Sequence, residues 1–193
     1  DAGAIFTAKT VTAEFAVSDP GETRNPRNLS HTPGGSSSGS GASVAAGFCD
    51  IAIGTQTSGS VIRPAGYCGV IGYKPSFGRI SRDGVLLFSN SMDHIGIFTK
   101  DLNLLEKTLP IIVDSWSSQK PVLDKNIFIG IPEGSYLDLS KPHILKQYLK
   151  IVQRLDQPFH LKKVELVNNI TNYNRTIDKI TFAELYNVHS GWY

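Results

Sequence analysis

Hydrophobic and polar positions follow two rhythms along this chain. In the second half, NIFIGIP (126–132) and HLKKVELV (160–167) have the β-branched and aromatic content of strands, and the first reads as a buried one. Between them Ile144, Leu145, Tyr148, Val152 and Leu155 fall on one face at helical spacing. This predicts a helix over 141–155, with Ser140 and Pro142 as its start signal. DLNLLEKTLPIIV (101–113) predicts another helix, with Asp101 as N-cap, and 176–193 a third. The first half is choppier: AIGTQT (52–57) predicts a strand running into a glycine turn. GVIGYKPSFGRIS (69–81) predicts an extended segment broken at Lys74-Pro75. Strands alternating with helices predict an α/β layered domain. The pattern stops at Trp192-Tyr193 inside an amphipathic segment without a C-cap signal, so the chain reads as cut rather than finished.

Composition narrows the function classes. Of 193 residues, 40% are apolar and 19% charged, and the net charge is +2. A charge so close to zero gives no argument for nucleic acid or an anionic membrane, and Lys162-Lys163 reads as a solvated edge. No apolar run approaches the roughly 20 residues of a spanning helix, and DAGAIFTAKT lacks the pattern of a secretory signal. Cys49 and Cys68, set among small and apolar residues, read as two buried thiols rather than a disulfide. The expectation is a cytoplasmic protein. The histidines (31, 94, 143, 160 and 189) are scattered without metal-ligand spacing, and the Ser117/Lys120 match to S-x-x-K has no helical context.

The candidate chemistry lies in serine. From Gly34 to Ser40 every residue is glycine or serine. Such a tract reads first as a flexible linker. It is short, however, and runs directly into ASVAAG, so a second reading is a loop emptying into a helix N-terminus, where unpaired N–H groups favour negative charge. Gly35-Ser36-Ser37-Ser38-Gly39 also matches the nucleophile elbow G-x-S-x-G, but NPRNLSHTP before it is no buried strand. A further reading pairs this tract with a second glycine turn, Thr57-Ser58-Gly59-Ser60, which follows the strand-like 52–57. Two such turns could set one hydroxyl against another, with a neutral lysine drawing the proton away.

NPRNLSHTPGGSSSGSGASVAAG, GTQTSGSVIRPAGYCGVIGYKPSFGRIS and SMDHIGIFTKDL, in this order over residues 23–102 and preceded by KTVTAEFA (9–16), resemble the amidase signature family. The resemblance is nearest to free-standing bacterial-type amidases. It implies an α/β fold with a mixed β-sheet core covered by helices. Residues 1–193 would be an incomplete portion of one such domain, with the signature core at about 9–102 and a peripheral strand/helix region at about 103–193.

The family uses a Ser-Ser-Lys triad. By this resemblance Ser60 matches the acyl-accepting nucleophile, and Ser36, after a cis peptide bond, the bridging serine that relays the proton. Thr57, Ser58 and Gly59, with Ser60, match the oxyanion hole, and Arg63 a residue beside the site that either contacts substrate or serves as a structural ion pair or loop clamp. The catalytic lysine of the family lies upstream of the first glycine-serine tract. Lys9 and Lys74 match other, structural segments, so the base is expected outside these residues. Gln56, Ser58 and Ser38 depart from commoner family residues and mark a subgroup. The implied reaction hydrolyses a carboxylic amide to acid plus ammonia or amine through an acyl-enzyme, without metal or cofactor. The implied partner is a small-molecule amide, with no nucleic acid contacted directly and no membrane; a homodimer is left open. The alternatives are a glutaminase-type subunit of a tRNA-dependent amidotransferase, which GTQTSGS disfavours, and a non-catalytic relative that keeps the fold.

Overall fold

The structure, a computed structural model, describes residues 3–17, 19, 21–117, 127–156 and 159–191. It divides into two compact units, one of residues 1–118 with 181–193 and the other of 119–180.

The first unit is built on a three-stranded antiparallel sheet in the order β1-β3-β2. Strand β1 (Ile51–Gln56) pairs with β3 (His94–Thr99) from Ile51↔Thr99 to Gln56↔His94, and β2 (Ile71–Tyr73) pairs with the other edge of β3. From Ile95 to Thr99 every residue of β3 is buried. Successive side chains of a strand point to opposite faces, so Ile97 and Phe98, both 0% exposed, anchor separate cores. Phe98 packs with Val44 of helix α1 (Ser38–Ala45), Ala52, Val61 and Ala65 of helix α2 (Ile62–Cys68). Ile97 packs with Leu105, Leu109 and Val113 along helix α3 (Leu102–Ile112). Helices thus cover both faces of the central strand, and this burial supplies most of the drive to fold.

The predicted α3 forms as expected. Asp101 caps it, its carboxylate accepting from the Leu104 N–H at 2.8 Å. Strand 52–57 is β1, and the extended reading of 69–81 holds for β2, which ends at Tyr73 ahead of Lys74-Pro75. Strand β3 has no counterpart in the pattern; buried on both faces, it shows no alternation, only a short apolar run of the kind read at 126–132. Cys68 is buried and Cys49 half-buried, correcting the expectation that both are buried; both are free thiols.

The second unit pairs β4 (Phe128–Glu133) and β5 (His160–Glu165) in parallel, from Phe128↔His160 to Glu133↔Glu165. Between them come helix α4 (Ser135–Asp138) and helix α5 (Pro142–Leu155), with Pro142 in the first turn. A proline there gives up an N–H that has no partner inside the helix. Leu145, Tyr148, Val152 and Leu155 are half-buried as the helical face predicts, and the Tyr148 hydroxyl donates to the Pro132 carbonyl at 3.1 Å. Ile144 is exposed instead, and β4 is not fully buried, Phe128 being 69% exposed. Helix α6 runs from Ile170 to His189 and starts earlier than the expected Thr176. Asn126, Lys120 and Trp192-Tyr193 lie outside the described residues. Among the described residues no helix is long and apolar enough to cross a membrane.

Candidate active site

The glycine-serine tract is a loop and a helix at once: its last residues, from Ser38 on, are the first turn of α1. Glycine and serine are weak helix formers, so tertiary contacts hold this turn. An extended segment at 10–12 crosses the helix so closely that a Cβ on Gly39 would meet the Val11 N at 2.6 Å, and the Gly39 N–H donates to the Val11 carbonyl at 2.9 Å. The other side lies against β1, where a Cβ on Gly54 would meet the Ser37 Oγ at 2.6 Å. The linker reading is set aside by this packing.

Most hydroxyls of the tract are committed to main chain. Ser37 Oγ donates to the Thr55 carbonyl (3.1 Å) and accepts from the Thr55 N–H (3.2 Å), which ties down the residue at the centre of the elbow match. Ser40 Oγ donates to the Ile53 carbonyl at 2.8 Å, and Ser38 Oγ reaches the Ser36 carbonyl at 3.4 Å. Ser36 differs. It is 1% exposed, follows a cis Gly35–Ser36 peptide, and is held by its carbonyl rather than its hydroxyl. That carbonyl accepts from Ala13 N (2.9 Å), Thr12 Oγ1 (2.9 Å) and Ser38 N (2.8 Å).

The second turn sits beside the first. The Ser37 N–H donates to the Ser60 carbonyl at 3.3 Å, so Ser36 and Ser60 come from turns joined through their main chains. Ser60, Thr57 and Gly59 are half-buried and Ser58 is exposed. Thr57 Oγ1 donates to Asp93 Oδ1 at 2.5 Å. The other oxygen of Asp93, a residue 3% exposed, accepts from Phe88 N (2.6 Å) and Ser89 N (3.1 Å). Arg63 is exposed and reaches back, its Nη1 donating to the Gly35 carbonyl at 3.3 Å. Lys9 is exposed, and Lys74 donates to the Pro75 carbonyl at 2.7 Å.

Three positioning groups escape the sequence reading: Asp93, and Asn25 with Arg27 of the NPRN segment. Asn25 Nδ2 donates to the Tyr67 carbonyl (2.8 Å), while Arg27 Nε and Nη2 donate to the Cys68 (3.1 Å) and Gly69 (3.4 Å) carbonyls. They satisfy the C-terminal end of α2, whose other end follows Ser60. Burial pushes the Cys68 thiol above its ordinary value, with Arg27 opposing, and the thiol points to the Pro33 carbonyl at 3.5 Å. A buried, protonated thiol is a poor nucleophile.

The loop at 88–93 is tied down from α6. Glu184 accepts from the Ser89 hydroxyl and from the Ser91 N–H (3.1 Å), and these bonds hold its carboxyl below the usual glutamate value of 4.5. A depressed folded value means that the ionised form is the one that folding favours. Its contribution is complete above 4.5 and is lost as pH falls through the depressed value. Glu184→Gln is therefore expected to cost no more than about 1 kcal/mol at neutral pH, with the gap in melting temperature closing in acid. A gap that does not change with pH would argue that the charge is irrelevant.

The same architecture recurs in known proteins. The Amidase family model matches residues 1–190. A crystal structure of an amidase superposes with a TM-score of 0.88 at 28% identity, over 98% of this chain and 44% of that one. The fold is therefore the mixed α/β fold of the amidases, and the chain covers part of it. A glutamyl-tRNA(Gln) amidotransferase subunit from Thermotoga maritima superposes with a TM-score of 0.78 at 30% identity, over 91% and 43% of the two chains. The corresponding subunit from Salinibacter ruber is 39% identical over 176 residues, which is 81% of this chain and 34% of that relative. This chain belongs to the Amidase family. It spans about a third of the length of the curated relatives it matches (34% in the case of Salinibacter ruber).

Proposed function

We propose that this protein hydrolyses a carboxylic amide to the acid plus ammonia or an amine, through an acyl-enzyme on Ser60. The observation that carries the reading is the Ser37 N–H to Ser60 carbonyl bond at 3.3 Å, which sets the Ser36 turn alongside the Ser60 turn. Ser60 Oγ attacks the amide carbonyl while its proton passes through Ser36 Oγ to a lysine outside these residues. The carbonyl oxygen becomes negative and is met by main-chain N–H groups of the turn at Thr57, Ser58 and Gly59. The proton then returns through Ser36 to the departing nitrogen as the C–N bond breaks, leaving the acyl group on Ser60. Water, deprotonated by the same relay, releases the acid. No step calls for a metal or an organic cofactor. Arg63, exposed with its Nη1 on the Gly35 carbonyl, takes the part of a loop clamp in this reading.

The test is chemical mapping. The full-length protein treated with a fluorophosphonate is expected to carry the adduct on the peptide containing Ser60. An adduct on Ser36, Ser37 or a serine elsewhere would overturn the assignment.

A second reading is favoured by one finding, the 39% identity to the amidotransferase subunit from Salinibacter ruber. In that case the amide is glutamine, and ammonia release rises when partner subunits are added. A free-standing amidase turns over its amide alone, so glutaminase assays with and without partner subunits separate the two readings.

A further inference from the structure

The buried side chain of Gln56, 6% exposed at the end of β1, spans the whole of the turn that carries Ser60. Its Oε1 accepts two hydrogen bonds, from Val61 N at 2.8 Å and Ile62 N at 3.0 Å. Its Nε2 donates to the Ser58 carbonyl at 3.2 Å. One side-chain amide thus grips the chain both before and after Ser60. Val61, the N-cap of α2, makes no side-chain cap bond of its own, so Gln56 also satisfies N–H groups that this helix end leaves open.

The consequence is orientation of peptide planes. In a trans peptide the C=O of one residue and the N–H of the next point in opposite directions. Fixing the Ser58 carbonyl on Gln56 therefore aims the Gly59 N–H away from Gln56. Likewise the Val61 N–H bound to Gln56 turns the Ser60 carbonyl the opposite way, where it meets the Ser37 N–H at 3.3 Å. The plane between Gly59 and Ser60 is set from the α2 side, the Gly59 carbonyl accepting from Arg63 N at 2.8 Å.

We propose that Gln56 is the positioning residue of this turn: its amide holds the Gly59 N–H and the Ser60 main chain in the orientation that acyl transfer uses. The inference rests on the reading of Ser60 as nucleophile. In this chain the side chain accepts at one end and donates at the other, which an amide can do. A carboxylate of the same shape keeps both acceptor bonds to Val61 and Ile62. It sets an oxygen against the Ser58 carbonyl, however, and their repulsion rotates the peptide that carries the Gly59 N–H.

Gln56→Glu in the full-length protein separates this role from a merely structural one. The probe is a fluorophosphonate, with its binding (KI) and bond-forming (kinact) constants measured separately and the adduct mapped in wild type and variant. The variant is expected to stay folded, since the capping bonds persist, with a lower melting temperature from the buried charge beside the Ser58 carbonyl. Its kinact should fall on the order of a hundredfold, the typical effect of a displaced oxyanion donor, with KI nearly unchanged. A kinact equal to wild type with the adduct on Ser60 overturns the Gln56 assignment alone. A loss confined to KI, or one matched by a collapse in melting temperature, also overturns it. An adduct away from Ser60 in the wild-type protein overturns the nucleophile reading and this inference with it. Gln56→Ala, which loses both the cap and the donor, is expected to lose stability as well as rate.

Discussion

Ser60→Ala in the full-length protein is expected to lower amide hydrolysis by on the order of 10⁵- to 10⁶-fold, the usual scale for removing a serine nucleophile. The variant is informative because little else changes. Ser60 is held through its main chain, its carbonyl accepting from Ser37 N and its turn braced by Gln56, so deleting one oxygen leaves these bonds in place. The residue is only half-buried, and truncation to alanine opens no core cavity. Melting temperature should therefore match wild type within the spread of ordinary surface substitutions. Binding of unreacted amide should also persist, so that the loss appears in kcat. The measurement is turnover of any amide that the wild type hydrolyses, with product followed directly. Retained turnover in a correctly folded variant would sink the proposed mechanism. Residual activity from contaminating wild-type protein is separated by titrating the labelled fraction.

The elements that can be read in advance are those with one wet face and one dry one. Helix α3 declares itself through Asp101, and α5 through Leu145, Tyr148, Val152 and Leu155. Strand β3 lacks alternation because helices cover both its faces, and its short apolar run has no period to fix its type. The first turn of α1 is obscured for the opposite reason. Its glycines and serines have poor helix propensity, and what holds them is the passage of Val11 on one side and β1 on the other. The reading of β4 as buried overshoots, because apolar content reports that a side chain can be buried, not that a neighbour is there to bury it.

The candidate site divides in the same way. Ser36, Ser60 and the intervening glycine turn are legible through the linked motifs, since each motif is a local string. Their supports are not. Asp93 reaches Thr57 across 36 positions and Asn25 reaches Tyr67 across 42, and neither bond leaves a trace in local pattern. Gln56 stands out in sequence only as a departure from a commoner residue; its three bonds give that departure a physical content. The glycine-serine tract draws attention through its hydroxyls, yet Ser37, Ser38 and Ser40 use theirs to fasten main chain. Serine suits that work because its hydroxyl both donates and accepts at short reach.

Ser36→Ala is the second large effect, and it tests the relay rather than the nucleophile. A proton carrier set between nucleophile and base contributes on the order of 10²- to 10⁴-fold, so the variant is expected to retain a small but measurable rate. The main chain at Ser36 is fixed without its hydroxyl, because the carbonyl accepts from Ala13 N, Thr12 Oγ1 and Ser38 N. Removing Oγ at a residue 1% exposed leaves a void too small to disturb the core built around Phe98. Stability is therefore expected to change by less than about 1 kcal/mol, which separates a lost relay from a lost fold. The relay also predicts where the loss falls. Both proton transfers pass through Ser36, so formation and hydrolysis of the acyl-enzyme should slow together, and rapid mixing should reveal the same fraction of accumulated ester as in wild type. Ser36→Thr, which keeps a hydroxyl, is expected to restore part of the rate despite the added methyl group. A variant lacking the Ser36 hydroxyl that acylates at the wild-type rate would show that Ser60 is deprotonated by another route, and the proton path through the first turn would have to be abandoned.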